Sequence, residues 1–288
     1  MTNQTNIFYI IGPTAIGKSD YAIKLALKIN AEIISADAYQ IYKHMDIGTG
    51  KISKEDQKKV SHHLIDSLYP NEFYNVTDFL KHTHTLIKSI SSKNKKTIIC
   101  GGNGLYLRSF LYQYTFPSAK SDPKIRHQLE QDYLNIGKNY LWEKLNTIDP
   151  VSAKKIHPNN KHHLLRCLEI HALTDKIPSK IKNQKNQIRQ DVKVIGLNAD
   201  RNVVKENISR RVDTMIDKGL INEVETLLKK GFNPDLPALN CIGYKETVSY
   251  LKGIINKKDM IELIKRNTNH FSKRQMTWFK KIENINWV

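Results

Sequence analysis

Residues 7–19 read IFYIIGPTAIGKS, a short apolar run followed at once by an octet that fits the pattern G-x-x-x-x-G-K-[ST]. In this pattern the glycines let backbone N–H groups curl around phosphate oxygens, the lysine adds positive charge and the hydroxyl reaches Mg²⁺. Apolar residues then recur at helical spacing, at Tyr21, Leu25, Ala26 and Ile29. The octet therefore opens a helix, whose N-terminal end also favours an anion. Strand, loop and helix together predict a phosphate or diphosphate site.

The next apolar run ends in an acid. Residues 32–35 are predicted to form the second strand, and Ala36 and Asp37 follow it. Ligands of open parallel sheets bind beyond the carboxyl ends of the strands, so we expect Asp37 beside the phosphate loop if the two strands are neighbours. A carboxylate there can accept a proton from an attacking N–H or O–H group, or hold Mg²⁺ through water. The alternative is that Asp37 only caps a helix or turn.

A third predicted strand, residues 96–100, runs into the glycine-rich turn Gly101-Gly102-Asn103-Gly104. Nucleotide hydrolases usually carry an acid for Mg²⁺ at the end of such a strand, and its replacement by glycine disfavours an ATP-driven motor or switch. A glycine-rich turn allows a substrate to approach the backbone closely. Tight packing of helix on strand explains the glycines equally well.

These segments, with a further strand at 192–197, predict an α/β protein with a P-loop NTPase-like parallel sheet flanked by helices and an inserted helical domain. We expect the first part of the core at 1–117, the insertion at 118–190, and the second part of the core with C-terminal helices at 191–288. The polar end of the insertion, 177–190, is a connection that could contact a polyanion.

Two helices carry finer predictions. Residues 76–90 are predicted to be a helix with Thr77 as its N-cap. A long amphipathic pattern then runs from Val204 to Leu227, with Arg201, Arg210 and Arg211 on its polar side.

The charge balance predicts a polyanionic partner. The 288 residues contain 46 Lys and Arg against 28 Asp and Glu, a formal net charge of +18. Richness in Lys, Asn and Ile together could also reflect AT-rich coding. The predicted last helix, 259–281, spreads cations along its length with Trp278 and Phe279 between them, as a nucleic-acid face requires; a solvated helix face is the alternative.

Other features exclude several classes of protein. The three cysteines stand far apart, so neither a disulfide framework nor a zinc module is indicated. Adjacent His62 and His63 point in different directions, which favours hydrogen bonding over metal binding. No apolar run approaches the roughly 18 residues of a membrane span. We therefore expect a cytoplasmic monomer without membrane association.

Eight segments, in the same order along nearly the whole chain, together resemble the tRNA dimethylallyltransferases, also called tRNA isopentenyltransferases. They are GPTAIGKS at 12–19, SADAYQIY at 35–42, MDIGT at 45–49, HHLID at 62–66, GGNGLY at 101–106, LLRCLE at 164–169, IGYK at 242–245 and KRQMTWF at 273–279. The chain ends without the zinc-finger tail of eukaryotic relatives, from which we expect the bacterial type.

The resemblance implies transfer of a dimethylallyl group from dimethylallyl diphosphate to N6 of the adenosine immediately 3′ of the anticodon, in tRNAs reading codons that begin with U. The phosphate loop and Mg²⁺ would then neutralise a diphosphate leaving group rather than a transferred phosphoryl group. The partners would be the tRNA anticodon stem-loop and dimethylallyl diphosphate. The target base lies in a single-stranded loop, from which it can be splayed into a pocket.

The resemblance also implies roles for single residues. Catalysis would involve Asp37, which orients the N6 amine and takes its proton, with Ser19 and Lys18. The diphosphate would be bound by Gly12, Pro13, Thr14, Ala15, Ile16, Gly17, Lys18, Ser19 and Arg166, with Mg²⁺ on Ser19, directly or through water. Contacts with tRNA would come from Asp37, Ala38, Tyr39, Gln40, Asn103, His162, His163, Leu164, Leu165, Arg166, Asn240, Cys241, Ile242, Gly243, Tyr244 and Lys245.

A few positions depart from the family pattern. Asn103 replaces a threonine, His162 and His163 replace glutamine and arginine, and Lys245 replaces arginine. The arginine replacements lose bidentate geometry while they keep most of the polarity. Two other classes remain open on the residues alone: a phosphate-loop kinase of a small metabolite, and a basic RNA-binding protein without catalysis.

Overall fold

The computed structural model describes residues 6–114, 116, 122–181 and 188–288. The chain divides into two compact units, one formed by residues 1–111 and 189–288 and the other by 112–188. The predicted insertion at 118–190 overlaps the second unit, and its residues 118–121 and 182–187 lie outside the described residues. The predicted domain boundaries stay a prediction.

The first unit contains a six-stranded sheet in the order β3-β2-β4-β1-β5-β6. Its strands are β1 Ile7–Ile11, β2 Ala31–Ser35, β3 His62–His63, β4 Lys96–Cys100, β5 Val192–Gly196 and β6 Asn286–Trp287. All five strand pairs are parallel. The predicted parallel sheet is therefore confirmed, while β3 and β6, at two residues each, are too short to leave a periodic signal in sequence.

Helices flank this sheet in the first unit and form the second unit. Those of the first unit are α1 Lys18–Ile29, α2 Lys54–Lys59, α3 Val76–Ser92, α4 Gly104–Leu111, α10 Arg201–Asp217, α11 Leu220–Lys229, α12 Tyr244–Leu251 and α13 Lys257–Phe279. Those of the second unit are α5 Pro123–Asn135, α6 Lys138–Ile148, α7 Pro150–Ala153, α8 Lys161–Thr174 and α9 Pro178–Ile181. Within the described ranges, no helix is both long enough and apolar enough to cross a bilayer.

The central strand β1 explains why the opening apolar run is continuous. Ile10 and Ile11 are fully buried, as are Ile98 and Ile99 on the neighbouring β4. Parallel strands covered by helices bury side chains on both faces, so they read as unbroken apolar runs rather than as alternating ones. The pairing of these two buried strands places the loops that follow them side by side.

Two helix predictions need correction. The N-cap of α3 is Asn75, not Thr77: its side chain accepts from the Thr77 and Asp78 amides, and Asp78 completes a capping box. The amphipathic pattern from Val204 to Leu227 is two helices, because Gly219 between them has φ 94°, a left-handed conformation that glycine adopts without steric cost. The apolar period continues across the break because both helices pack into one hydrophobic cluster.

The second unit has its own apolar core. Leu141, Leu145, Leu164 and Leu165 are fully buried there and pack with Leu129. This core joins α5, α6 and α8, so helices from both halves of the segment stabilise one another.

The carboxylate of Glu32 lies buried at the start of β2, with only 3% of its side chain exposed. It accepts hydrogen bonds from His63 Nε2 at 2.8 Å and from Lys95 Nζ at 3.0 Å, and Lys93 Nζ lies 3.4 Å away. Burial alone would raise the pKa of this carboxyl, but these donors outweigh burial and lower the pKa to about 2.

Glu32→Gln is expected to lower the free energy of unfolding at pH 7 by about 2 kcal/mol. Because the folded pKa of about 2 lies below the ordinary value of 4.5, this stabilisation is fully present above pH 4.5 and is lost as the pH falls towards 2. Urea unfolding of wild type and variant at pH 7, 5 and 3 measures the difference, with the exposed Glu206→Gln as control. A difference that did not shrink below pH 4.5 would contradict the ionised pair.

Candidate active site

A cleft of about 680 Å³ opens beyond the carboxyl ends of β1, β2 and β4. The three strand ends are joined directly by backbone bonds: the Gly101 amide donates to the Ile10 carbonyl at 3.1 Å, and the Ala36 amide to the Cys100 carbonyl at 2.8 Å. Residues that line the cleft include Thr14, Lys18, Ser19, Asp37, Gln40, Arg211 and Gln275. The phosphate loop and Asp37 therefore share one site, as the strand order requires.

The phosphate loop connects β1 to α1. Gly17 forms the N-cap of α1 in the left-handed conformation, at φ 86°, and offers no side chain to cap the first turn. Ala15, with φ 63°, is a second left-handed residue in the loop. The N–H groups of the first helical turn are thereby left to an anion, which the helix dipole also favours.

Lys18 supplies a cation in this loop. Its ammonium donates to the Pro13 carbonyl at 2.7 Å. Burial, with a smaller contribution from nearby Arg211, lowers the pKa of Lys18 to about 8, against the opposite effects of Cys100 and Asp37. The half-buried ammonium is thus charged at neutral pH, and its partly desolvated position strengthens its attraction for an anion.

Asp37 lies in the turn that leaves β2. Its Oδ1 accepts hydrogen bonds from the Tyr39 amide at 2.9 Å and from the Gln40 amide at 3.4 Å. Asp37 therefore does cap the turn, as the alternative interpretation held, but only through Oδ1. The structure gives Oδ2 no hydrogen-bond partner among the residues it describes, so one oxygen holds the side chain in place and the other can accept a proton.

Arg211 is a cleft residue that the sequence interpretation placed only on the polar side of a helix. Its guanidinium lies against Gly50, where a Cβ would overlap it, and Nη2 donates to the Thr49 carbonyl at 3.4 Å. Burial lowers its pKa, and Asp37 raises it. The available signal was helical spacing: Thr214, Met215 and Lys218 follow it at three, four and seven residues and also line the cleft.

Glu223 is a second functional residue that the sequence interpretation missed. Its carboxylate accepts from the backbone amides of Asp46, Ile47 and Gly48 at 2.9, 2.8 and 3.2 Å, and from the Tyr244 hydroxyl at 2.5 Å. By binding three amides, the Glu223 carboxylate fixes the loop at residues 46–48, which forms one wall of the cleft. Tyr244 is buried, and both burial and Glu223 raise its pKa. Its hydroxyl bonds the carboxylate that holds this loop, so its side chain supports the loop.

The remaining predicted tRNA contacts of the first unit differ in exposure. Asn240 and Lys245 are exposed, whereas Cys241 is buried. Asn103 uses its side-chain oxygen to accept from the Leu105 and Tyr106 amides at the start of α4. The exposed residues at either end of 240–245 are thus the ones available for RNA.

The predicted contacts of the second unit all lie on α8. His162 and His163 are exposed, while Leu164 and Leu165 are buried in the core of the unit. Arg166 donates to the Glu169 carboxylate at 2.9 Å. The two leucines therefore support the helix, and the roles of His162, His163 and Arg166 stay predictions.

Within the described part of the chain, no three His, Cys, Asp or Glu side chains form a group that could hold a metal ion. His62 instead bonds the Val60 carbonyl at 2.7 Å, and His63 bonds Glu32, which agrees with the hydrogen-bonding interpretation of the histidine pair. The oxygen groups of Ser19 and Asp37 line the cleft, and oxygen is the ligand that Mg²⁺ prefers beside a phosphate.

Comparisons with known proteins agree on one family. A family model described as IPP transferase matches residues 40–282. The chain is 42% identical over 285 residues to a tRNA dimethylallyltransferase of Acetivibrio thermocellus and 45% identical over 283 residues to one of Carboxydothermus hydrogenoformans; each alignment covers 98% of this chain and 91% of the relative.

Solved structures show the same likeness. A full-length tRNA isopentenylpyrophosphate transferase of Bacillus halodurans superposes with a TM-score of 0.72 at 37% identity, over 99% of this chain and 90% of that one. A eukaryotic dimethylallyltransferase that acts on tRNA superposes with a TM-score of 0.85 at 27% identity, over 99% of this chain and 74% of that one. These neighbours share the parallel sheet and the phosphate-loop fold.

Proposed function

Because this chain belongs to the tRNA dimethylallyltransferase family, we propose that its cleft transfers a dimethylallyl group from dimethylallyl diphosphate to tRNA. The acceptor is N6 of the adenosine 3′ of the anticodon, in tRNAs that read codons beginning with U. The observation that carries this proposal is the meeting of two cations, Lys18 and Arg211, with one carboxylate, Asp37, in a single cleft. The names of the relatives favour this reaction over the kinase alternative.

The three side chains divide the chemistry between them. Adenosine N6 attacks C1 of the dimethylallyl group, and the C1–O bond breaks with its electron pair passing to the diphosphate. Lys18, Arg211 and the N-terminal turn of α1 neutralise that leaving charge. The Asp37 carboxylate orients the amine and takes the proton that N6 loses. The products are N6-dimethylallyladenosine and diphosphate.

Mg²⁺ fits the same end of the cleft. The Ser19 hydroxyl, diphosphate oxygens and water would hold it, since this ion keeps several waters and takes oxygen ligands. When bound, it would supply further neutralisation of the leaving diphosphate. Ser19 lies directly after Lys18 at the start of α1, so the hydroxyl and the ammonium approach the diphosphate from adjacent positions.

Recognition of the RNA is proposed for the half-buried residues Asp37 to Gln40 and Asn103, and for mostly exposed residues of two further segments. The turn from Asp37 to Gln40 would contact the target base, together with Asn103 of the glycine-rich turn. Asn240 and Lys245 would contact the neighbouring RNA. On the second unit, His162, His163 and Arg166 are the proposed contacts. A cytoplasmic monomer remains the expectation, and analytical ultracentrifugation tests the oligomeric state.

Lys273 and Arg274 on α13 are both exposed, and Arg274 lies over the Phe271 ring at 5.9 Å. Replacing both with Ala is expected to weaken the binding of every tRNA to a similar extent, because phosphate contacts do not read the base sequence. The slope of log K against log salt concentration should become shallower by about 1.4 to 1.8, because two phosphate contacts are lost. Filter binding at several salt concentrations measures the slope. The matched control replaces the exposed Lys24 and Lys28 of α1; an unchanged slope in the α13 variant would exclude this face as a phosphate contact.

The proposed function is tested by incubating the protein and Mg²⁺ with an unmodified tRNA anticodon stem-loop, adding dimethylallyl diphosphate or ATP in parallel. Mass spectrometry of the nucleosides is expected to show adenosine heavier by one dimethylallyl group only with dimethylallyl diphosphate. No gain in mass, together with ATP consumption when small hydroxylated metabolites are supplied, would overturn the proposal in favour of a kinase.

A further inference from the structure

The side chain of Gln275 joins two turns of the cleft that are far apart in sequence. Gln275 lies on α13 and is only 4% exposed. Its Oε1 accepts from the Thr14 amide at 2.9 Å, and its Nε2 donates to the Gly102 carbonyl at 3.0 Å. A backbone N–H can only donate and a carbonyl can only accept, so the two partners allow only one orientation of the amide.

Both partners belong to turns that form the cleft. Thr14 is the third residue of the phosphate octet, and Gly102 is the second glycine of the turn after β4. A Cβ on Gly102 would lie 2.1 Å from Gln275 Nε2, so the amide fills the space that the missing side chain leaves. The glycine at this position is therefore explained by the glutamine that packs on it.

The phosphate loop needs such a support. It contains two left-handed residues, Ala15 and Gly17, and the N-cap of α1 has no side-chain hydrogen bond. The Thr14 amide is bound to Gln275, and a loop whose other amides converge on one anion gains affinity when its conformation is fixed before the anion arrives. The bond from Thr14 to Gln275 holds the first part of this loop in place.

We propose that Gln275 is a positioning residue for the diphosphate, which fixes the phosphate loop against the glycine turn through its two backbone hydrogen bonds. Its polar atoms act on the backbone of Thr14 and Gly102 rather than on the reacting atoms. The inference rests on the proposed function, because it takes the anion in the loop to be the diphosphate of the prenyl donor.

Gln275→Met removes both hydrogen bonds and keeps an unbranched side chain of similar length that suits a helix. The affinity for inorganic pyrophosphate with Mg²⁺, measured by titration calorimetry, is expected to fall about tenfold, the worth of about one net hydrogen bond. The KM for dimethylallyl diphosphate should rise by a similar factor, while the KM for the stem-loop stays close to wild type. The midpoint of thermal unfolding should fall by a few degrees, because the Gly102 carbonyl loses its buried partner.

Gly102→Ala tests the same contact from the other side, since the added methyl group displaces the Gln275 amide without altering α13 or the loop sequence. It is expected to weaken pyrophosphate binding as Gln275→Met does, and the double variant should lose less than the sum of the two, because both changes break one contact. The matched control is Asn269→Met, an amide of α13 that donates to the Lys265 carbonyl of its own helix.

The outcomes separate this inference from the proposed function. If wild type prenylates RNA but both variants bind pyrophosphate as wild type does, Gln275 is not a positioning residue. The same holds if the KM for the stem-loop rises as much as the KM for the donor, because that result indicates general damage. If wild type binds pyrophosphate but prenylates no RNA, the proposed function fails. The calorimetry of the variants then still decides whether Gln275 positions the loop for anion binding.

Discussion

Asp37→Asn is expected to lower kcat for prenyl transfer by about a hundredfold or more, with little change in the affinity for tRNA. An amide cannot take the proton that N6 of adenosine loses. Asn keeps an Oδ1 that can still accept from the Tyr39 and Gln40 amides, so the turn should retain its conformation. The variant therefore removes the base and spares the position of the base.

Single-turnover assays with saturating donor and stem-loop measure the chemical step, and a binding titration with the stem-loop measures RNA affinity. Asp217→Asn, at an exposed position of α10, serves as the matched loss of a carboxylate. Undiminished turnover in the Asp37 variant would remove this residue as the base. A loss of RNA affinity equal to the loss of rate would instead assign it to recognition.

Lys18→Met is expected to lower kcat/KM for dimethylallyl diphosphate by about a hundredfold to a thousandfold, because a preorganised cation at the leaving group is lost. The KM for the stem-loop should change little. The neighbouring arginine, Arg211, remains in the cleft and accounts for the residual activity. Steady-state kinetics with each substrate varied in turn measure both effects, with Lys24→Met, an exposed change on the same helix, as control.

The pH dependence gives a second test of Lys18. Since its pKa is about 8, the ammonium is charged below that pH and becomes neutral above it. The KM for dimethylallyl diphosphate should therefore rise as the pH passes 8 in wild type. Lys18→Arg keeps its charge throughout this range, so its KM should show no such rise, whatever its absolute value. A rise of equal size in both proteins would mean that another group titrates.

Local pattern predicted the elements that carry these effects. The apolar runs of β1, β2 and β4 and the octet at 12–19 are short-range signals, because strand burial and loop conformation depend on adjacent residues. A parallel sheet also places the ends of its strands at one edge, so the meeting of the loop with Asp37 followed once the strands were identified.

Helix faces were harder to interpret. Arg211 is spaced like a solvated arginine on α10, and periodicity distinguishes an apolar face from a polar one but does not say what a polar face meets. Glu223 carried no sequence signal, because a carboxylate that binds three backbone amides of a distant loop has the same local sequence as an exposed one. Gly219 broke the helix without breaking the apolar period.

The sequence by itself determined the phosphate loop, the base candidate Asp37 and the parallel sheet, since each depends on neighbours in the chain. Only the tertiary structure decided which cation faces Lys18, what holds the wall of the cleft and what supports the loop. Gln275 and Thr14 are 261 residues apart. A contact between residues so far apart depends on how α13 packs on the rest of the first unit. The local sequence around either residue therefore does not predict it.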